Sequence, residues 1–289
     1  MNDVIKTHPC FSREAHHKYG RIHLPVAPAC NIQCRYCIRK YDCANESRPG
    51  VSSRVLDVDE AVERVHVAVE RDERIRVAGI AGPGDPLSND AAFEAMRAIH
   101  KKFPDLILCI STNGLLLPDK LNDLIEAGIK SLTITINAVS PETAEKIYSV
   151  VIYKNITYRG IEAANLLLKN QRLGLKMAVE SGLLVKVNTI YIPEINDSEI
   201  PEIARLTGEM GASIMNITSI IPQAEFKDLQ GPSYEMMAKM RKRCSQYISQ
   251  MTHCRQCRAD ALGTLGEDRD MELEMLFAKI GDEYTEMVV

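Results

Sequence analysis

The sequence has no excess of basic residues and no long apolar run, and both absences narrow its function. Its 35 Lys and Arg residues stand against 39 Asp and Glu, so it lacks the basic surplus of a protein that binds the phosphate backbone. No segment approaches the roughly 20 apolar residues of a membrane span, and the N-terminus has no signal-peptide core. We therefore expect a cytoplasmic protein that binds neither nucleic acid nor a membrane.

A disulfide framework is excluded on similar grounds, although the chain contains nine cysteines. Cytosolic thiols stay reduced, and a chain of 289 residues is large enough to fold without covalent cross-links. Metal binding, redox chemistry or simple burial must account for these cysteines.

Six β-rich runs alternate with helical patterns along the chain, which predicts an α/β fold with a parallel sheet. The runs span residues 21–28, 74–82, 105–112, 131–139, 183–193 and 212–221, and the helical patterns lie near 57–72, 88–102, 117–127, 157–174, 196–209 and 233–250. Both a (β/α)6 partial barrel and a doubly wound sheet fit this alternation. In either fold the functional residues belong at the C-terminal ends of the strands.

The loop after the first run carries "CNIQCRYC", in which Cys30, Cys34 and Cys37 form a C-x3-C-x2-C pattern. Three closely spaced thiolates can hold three irons of a [4Fe-4S] cube and leave the fourth iron open for chemistry. A zinc site is the alternative, but zinc usually takes four ligands and its knuckles usually read C-x2-C. The spacing favours an iron-sulfur cluster.

The other six cysteines differ in their surroundings. Cys254 and Cys257 form a C-x2-C pair, a frequent spacing of cluster ligands. Cys109 is either a buried small hydrophobe or, because its strand parity could point it into the barrel, a ligand. Cys244 shares a predicted helix face with the apolar residues Met236, Met240, Tyr247 and Met251, so we assign it to the core.

Two further [4Fe-4S] clusters would need about eight ligands, and the sequence offers fewer. The candidates are Cys10, Cys43, Cys109, Cys254 and Cys257. His23 lies on the first strand and could reach the barrel interior, although a lone strand histidine is more often packed or hydrogen-bonded. Clusters with too few ligands suggest clusters that leave the protein.

The C-x3-C-x-Y-C pattern, followed one βα unit later by "GIAGPGDPL", resembles the radical S-adenosylmethionine (SAM) superfamily. The resemblance implies a partial TIM-type barrel, a [4Fe-4S] cluster whose open iron binds SAM, and Tyr36 against the adenine. It further implies cofactor-binding roles for Gly82, Gly84, Asp85, Thr112, Asn113, Asn137, Asn188 and Ile190. Taken alone, these Gly and Asn residues also fit ordinary turns.

Two longer strings, "HPCFSREAHHKYGRIHLPVAPACNIQCRYC" and "CRQCRADALGTLGED", resemble the NifB family of nitrogenase cofactor maturases. That resemblance implies a SAM-dependent lyase or transferase that fuses two substrate [4Fe-4S] clusters, K1 and K2, into an [8Fe-9S-C] precursor. One SAM gives a methyl group, a second gives a hydrogen-abstracting radical, and a carbide and an added sulfide complete the product.

The same resemblance assigns ligands residue by residue. It gives Cys30, Cys34 and Cys37 to the SAM cluster, Cys10, His23 and Cys43 to K1, and Cys109, Cys254 and Cys257 to K2. Glu46 and Arg48 become acid-base candidates near K1, with a loop ion pair as the alternative. The segments would be a ligand-bearing extension at 1–20, the barrel at 21–250, and a ligand-bearing C-terminal segment at 251–289.

The sequence departs from the family in a few places. The chain has no Trp, although tryptophans are expected within "SVVIYKNITYRG", and Glu194 stands where relatives often have Gly. No NifX-like domain follows, so we expect a standalone form that works with iron-sulfur donor proteins, an electron donor such as a ferredoxin, and separate carrier or acceptor proteins. The alternatives are a radical SAM enzyme whose auxiliary clusters serve modification of a peptide or small molecule, and a non-catalytic iron-sulfur scaffold.

Overall fold

Six parallel strands form the centre of the main sheet, and a short antiparallel strand is added at one edge. The computed structural model describes residues 2–50, 52 and 54–278. The strand order is β10-β1-β3-β4-β5-β8-β9. The bounds are β1 Gly20–His23, β2 Ile32–Cys34, β3 Ile75–Ile80, β4 Ile107–Thr112, β5 Ile129–Thr135, β6 Tyr148–Tyr153, β7 Ile156–Tyr158, β8 Leu184–Tyr191, β9 Ile214–Ser219 and β10 Leu262–Gly263.

Helices follow the parallel strands, which gives the predicted (β/α)6 partial barrel. The helices are α1 Asn2–Thr7, α2 Ala15–Lys18, α3 Val58–Arg71, α4 Asp90–Lys102, α5 Leu117–Glu126, α6 Pro141–Ile147, α7 Gly160–Glu180, α8 Ile200–Glu209 and α9 Tyr234–Cys244. Helix α3 begins with a capping box between Asp57 and Glu60, and its apolar face packs on the sheet with α4 in one large core. In the described part of the chain, no helix is long and apolar enough to cross a membrane.

All six predicted strands and all six predicted helices are present, and the differences concern their ends. Helix α8 begins at Ile200 and not at 196, because the Asn196 side chain binds backbone groups of Ile192, Ile190 and Asn137 in a turn. Helix α7 begins and ends later than predicted. Helix α9 ends at Cys244, well before 250.

Cys244 is fully buried, as predicted, with Met240 and Met251, but the assignment of Met236 and Tyr247 to the same buried face is wrong. Its buried companions on α9 are Met237 and Met240, whereas Met236 and Tyr247 are exposed. The helix ends at Cys244, so the helical spacing that linked it to Tyr247 does not continue.

A second, three-stranded sheet was not predicted. Strand β2, inside the cysteine loop, pairs with β6, and β6 forms a hairpin with β7. The hairpin turns at Lys154 and Asn155, which both have positive φ, as a tight hairpin turn requires. This sheet packs with α6 and α7 in a core of its own and supports the cysteine loop from behind.

Residues from the C-terminal part of the chain cover the β1 edge of the main sheet. Strand β10 pairs antiparallel with β1, where Arg21 lies opposite Gly263. The buried Arg21 guanidinium donates to the Gly263 and Thr264 carbonyls at 2.7 and 2.9 Å and forms an ion pair with Asp268. The predicted C-terminal segment therefore covers the barrel edge, and its last residues, 279–289, lie outside the described residues.

Candidate active site

Two cysteine-lined cavities open at the C-terminal side of the parallel strands. The smaller has a volume of about 380 Å³, and its lining includes Cys30, Cys34, Cys37, Cys43, Gly84, Asp85, Thr112 and Asn113. The larger has a volume of about 700 Å³, reaches into the barrel, and its lining includes Cys10, His23, Cys109, Asn188, Cys254 and Cys257.

Hydrogen bonds to backbone carbonyls shape the loop that bears the cysteine triplet. The Gln33 side-chain amide donates to the Cys34 and Cys37 carbonyls at 2.9 and 2.8 Å, and the Cys37 N–H donates to the Cys34 carbonyl at 3.0 Å. Burial raises the pKa of Cys30 to about 11, and it raises the pKa of Cys34 further. Without a metal these groups are thiols, so iron must displace their protons when it binds.

The turn after β3 is held against the triplet loop by Gly84 and Asp85. The Gly84 N–H donates to the Ala27 carbonyl, and a Cβ at this position would lie 2.1 Å from the Ala29 oxygen, so only glycine fits. The Asp85 carboxylate accepts from the Thr112 hydroxyl at 2.9 Å and the Asn113 N–H at 2.6 Å. Burial raises the pKa of Asp85 to about 6. Asp85 thus fixes the end of β4 beside the cysteines.

Asn113 is the polar side chain closest to the triplet from β4. Its amide donates to Asn31 Oδ1 at 2.6 Å and lies 3.9 Å from the Cys30 sulfur. Together with Thr112 it gives the smaller cavity a wall that can offer both donors and acceptors to a polar cofactor.

Four of the predicted SAM-contact residues line neither cavity. These are Tyr36, Gly82, Asn137 and Ile190. The Tyr36 ring is buried with Phe226, and its hydroxyl donates to Asn45 and accepts from the Asn137 amide at 2.8 Å. The Tyr36 hydroxyl thus positions Asn45, and the contact of the ring with adenine stays a prediction.

His23 and Cys109 lie side by side in the larger cavity, on either side of Gly79. Residue 79 on β3 is in register with His23 on β1 and with Cys109 on β4. A Cβ at position 79 would lie 2.6 Å from the Cys109 sulfur and 3.2 Å from His23 Cδ2. Glycine at this position is what allows both side chains to point into the barrel.

The hydrogen bonding of His23 suits a metal ligand. Its Nδ1 lies 3.1 Å from the Arg258 carbonyl oxygen, which can only accept, so Nδ1 carries the proton and Nε2 keeps its lone pair. Burial lowers the pKa of His23 to about 4, so the ring is neutral at pH 7. Burial also raises the pKa of Cys109 to about 12 and that of Cys257 to about 11.

The N- and C-terminal segments bring Cys10, Cys254 and Cys257 to the same cavity. His253 Nε2 donates to the Pro9 carbonyl at 3.0 Å, which joins the two segments. Within the described residues, no three His, Cys, Asp or Glu side chains converge on one metal ion. A cube binds each ligand through a different iron, so its ligands do not need to converge on one point.

Cys43 does not join Cys10 and His23, its expected partners. It lines the smaller cavity, where the Asn45 amide lies 3.7 Å from its sulfur and 3.8 Å from that of Cys34. The Cys43 carbonyl accepts from the Ser47 N–H at 3.0 Å, which closes a turn over residues 43–47. The structure therefore separates one of the three predicted K1 ligands from the other two.

Glu46 and Arg48 have different surroundings. Glu46 lines both cavities, and its carboxylate accepts from the Thr135 hydroxyl. Arg48 lines neither cavity, is half exposed and pairs with Asp268, so its ion pair is not the expected one with Glu46. The arginine and the glutamate do not pair with each other, so only Glu46 is placed to act on a bound group.

A thin wall separates the two cavities. Asn45, Glu46 and Ser111 line both of them, so these three residues stand between the cysteine triplet and the donors of the larger cavity. Groups bound in the two cavities would therefore be separated only by this layer of side chains.

Several lining residues were missed from the sequence: Asn45, Lys186, Asn216, Thr218, His8 and Arg39. Lys186 had a usable signal, because a charged residue inside the β-rich run "LLVKVNTIYIP" shares strand parity with Asn188. Asn216 and Thr218 had a similar signal, because these polar residues share strand parity within the β-rich run at 212–221. No sequence pattern distinguishes Asn45, His8 and Arg39 from ordinary surface or turn residues.

Comparison with known proteins places the chain among described families. Residues 24–207 match the model of the Radical SAM superfamily. The chain is 45% identical over 281 residues to the FeMo cofactor biosynthesis protein NifB of Klebsiella pneumoniae, covering 95% of this chain and 60% of that protein. It is 46% identical to the protein of the same name from Herbaspirillum seropedicae, covering 93% and 53%. For the one from Methanocaldococcus infernus the identity is 46%, covering 92% and 88%.

Proposed function

Because the chain belongs to the radical SAM superfamily and, within it, to the NifB family, we propose that it is a radical SAM enzyme of nitrogenase cofactor biosynthesis. The observation that carries the proposal is the pair of cysteine-lined cavities with a shared wall. The smaller cavity suits the SAM-binding cluster, and the larger cavity suits the iron-sulfur clusters on which the enzyme would act. The chain spans little more than half the length of the Klebsiella and Herbaspirillum relatives. The activity of this chain is therefore proposed from its own residues and not taken over from the longer proteins.

The smaller cavity fits a resident [4Fe-4S] cluster with SAM. Three cysteines on one loop supply three ligands, and the Gly84 backbone and the polar groups of Thr112 and Asn113 surround the remaining side. When bound, the cluster and SAM together supply a methyl group and a radical that abstracts hydrogen. The residues of this cavity orient SAM toward the wall, and Asp85 and Gln33 keep the turn and the loop in place.

The larger cavity fits iron-sulfur substrates. We propose that Cys109, Cys254 and Cys257 bind the K2 cube and that Cys10 and His23 bind K1, with Cys43 as a third K1 ligand after its side chain turns toward the wall. The neutral His23 ring is a weaker ligand for soft iron than a thiolate, which suits a cube that must be released. The product would be the carbide-containing [8Fe-9S-C] precursor.

Glu46 is the residue best placed for proton transfer between the cavities. Its carboxylate lines both of them and is oriented by the Thr135 hydroxyl. A carbide can form from a methyl group only if protons are removed, and a carboxylate at the shared wall can accept one of them. We further propose that iron-sulfur donor proteins, a ferredoxin-type electron donor and carrier or acceptor proteins of nitrogenase assembly act with this chain in the cytoplasm.

Matched cysteine variants test the two-cavity assignment. We expect Cys34→Ala to abolish deoxyadenosine formation but to keep the cubes of the larger cavity. We expect Cys109→Ala to keep the SAM-dependent change in the electron paramagnetic resonance signal but to form no precursor. Cys244→Ala, at a buried cysteine away from both cavities, should change neither. Deoxyadenosine without activation of cofactor-free nitrogenase would favour an enzyme with auxiliary clusters, and no SAM-dependent signal would favour a scaffold.

A further inference from the structure

Three of the predicted SAM-contact residues that line neither cavity are joined in one chain of hydrogen bonds. The Ile190 backbone N–H donates to Asn137 Oδ1 at 2.8 Å, and the Asn137 amide donates to the Tyr36 hydroxyl at 2.8 Å. The hydroxyl in turn donates to Asn45 Oδ1. Ile190, Asn137 and Tyr36 are each at most 1% exposed. The chain therefore runs through the interior and ends at the wall between the two cavities, which Asn45 lines.

The first member of this chain fixes the direction of every bond that follows. A backbone N–H can only donate, so Asn137 presents its oxygen to Ile190 and its NH₂ group to Tyr36. The Tyr36 oxygen accepts from that NH₂ group and directs its own proton to Asn45 Oδ1. The chain thereby determines which end of the Asn45 amide is the oxygen and which end is the nitrogen.

The Asn45 NH₂ group faces two cysteine sulfurs. Its nitrogen lies 3.8 Å from Cys34 Sγ and 3.7 Å from Cys43 Sγ, so each of its two hydrogens has an acceptor. The backbone carbonyl of Asn45 also accepts from the Asn188 amide at 2.6 Å. Both the backbone and the side chain of Asn45 are therefore held in place beside the cysteine loop.

We propose that Asn45 sets the reduction potential of the cluster held by Cys34 through an N–H···S hydrogen bond, and that the buried chain behind Tyr36 orients it. This inference rests on the proposed function, which assigns the SAM cluster to the smaller cavity. The N–H donor stabilises the reduced cluster more than the oxidised one, because the added electron increases the negative charge on the cysteine sulfurs. Asn45 therefore raises the potential. The same amide also contacts Cys43, a proposed K1 ligand.

The reduction potential is measured by titrating the chain, loaded with iron and sulfide, with dithionite under electron paramagnetic resonance. The signal that changes when SAM is added identifies the cluster of the smaller cavity. We expect Asn45→Leu, which keeps the side-chain size without the amide, to lower the ratio of reduced to oxidised cluster about tenfold at the parent's midpoint potential, the scale of one hydrogen bond. That ratio corresponds to a downward shift of about 59 mV for one electron. Asn165→Leu, at an exposed asparagine on α7, should keep the parent's potential.

Tyr36→Phe tests the orienting chain, because it keeps the buried ring and removes the hydroxyl. We expect a smaller downward shift in this variant, and no shift beyond that of Asn45→Leu when the two changes are combined, since the hydroxyl acts through the amide. Additive shifts would mean that the hydroxyl acts directly on Cys34, and they would overturn the orienting chain.

The result that overturns the role of Asn45 is an unchanged potential in Asn45→Leu at full iron content. If Asn45→Leu does not hold the cluster, an unchanged potential in Tyr36→Phe overturns it instead. The proposed function fails separately. A lowered potential in Asn45→Leu, together with a parent chain that cannot activate cofactor-free nitrogenase, would refute the proposed function and leave the role of Asn45 standing.

Discussion

Gly79 provides a sharp test of the larger cavity, because one added methyl group meets two proposed ligands there. Its Cβ would lie 2.6 Å from the Cys109 sulfur and 3.2 Å from His23 Cδ2. Ordinary contacts between carbon atoms lie near 3.5–4.0 Å, so the sulfur must move by about 1 Å or more. Ligand distances in metal sites hold within about 0.2 Å, so we expect Gly79→Ala to lose the bond from Cys109 to iron.

The predicted phenotype is selective. We expect the iron content of Gly79→Ala to fall by roughly four atoms per chain, one cube, while the SAM-dependent electron paramagnetic resonance signal remains. Crowding in a packed interior costs about 1–3 kcal/mol, so the protein should still fold. Gly231→Ala, whose Cβ meets only the Ser219 hydroxyl and the Ile220 backbone and side chain at 3.1 to 3.9 Å, is the control. Full iron content with normal precursor yield in Gly79→Ala would show that Cys109 and His23 are not ligands in this arrangement.

Three further predictions concern other parts of the site. Iron analysis should show that Cys34→Ala loses roughly four iron atoms per chain, which is one cube, and that Cys244→Ala loses none. An equal loss of iron in both variants would indicate general destabilisation. Asp85 has a pKa raised to about 6, so the folded state binds more protons than the unfolded state, and stability should fall as pH rises from about 4 to 6. We expect this fall in the free energy of unfolding to reach roughly 3 kcal/mol by denaturant titration and to vanish in Asp85→Asn. An unchanged dependence of stability on pH in that variant would refute the role of Asp85. Glu46→Gln should reduce precursor formation about a hundredfold, the scale of a lost general base, with iron content unchanged; a normal rate would leave Glu46 only a positioning role.

The fold was largely predictable from the sequence because its signals are local. Each parallel strand is a short apolar run followed by a helical pattern, and that alternation predicts a parallel α/β fold. The resemblance to the radical SAM superfamily then favoured the partial barrel over a doubly wound sheet. The cysteine triplet and the turn at Gly84 are also local motifs. The hairpin of β6 and β7 was missed because its pairing partner is β2 inside the cysteine loop, more than 100 residues away.

The candidate site was predictable in composition but not in arrangement. Strand parity allowed Cys109 to point into the barrel, where the structure has it, but nothing in the sequence separates Cys43 from Cys10 and His23. Likewise Tyr36 belongs to the cysteine motif, and only three-dimensional packing shows that its hydroxyl positions Asn45.

The most direct test of the two-cavity enzyme is activation of cofactor-free nitrogenase. The chain is loaded with iron and sulfide without oxygen, treated with SAM and a reductant, and its product is given to nitrogenase with the remaining assembly components. We expect activity from the parent chain and from Cys244→Ala, and none from Cys34→Ala or Cys109→Ala. Deoxyadenosine formation by the parent chain with no activation of nitrogenase would contradict the proposed function.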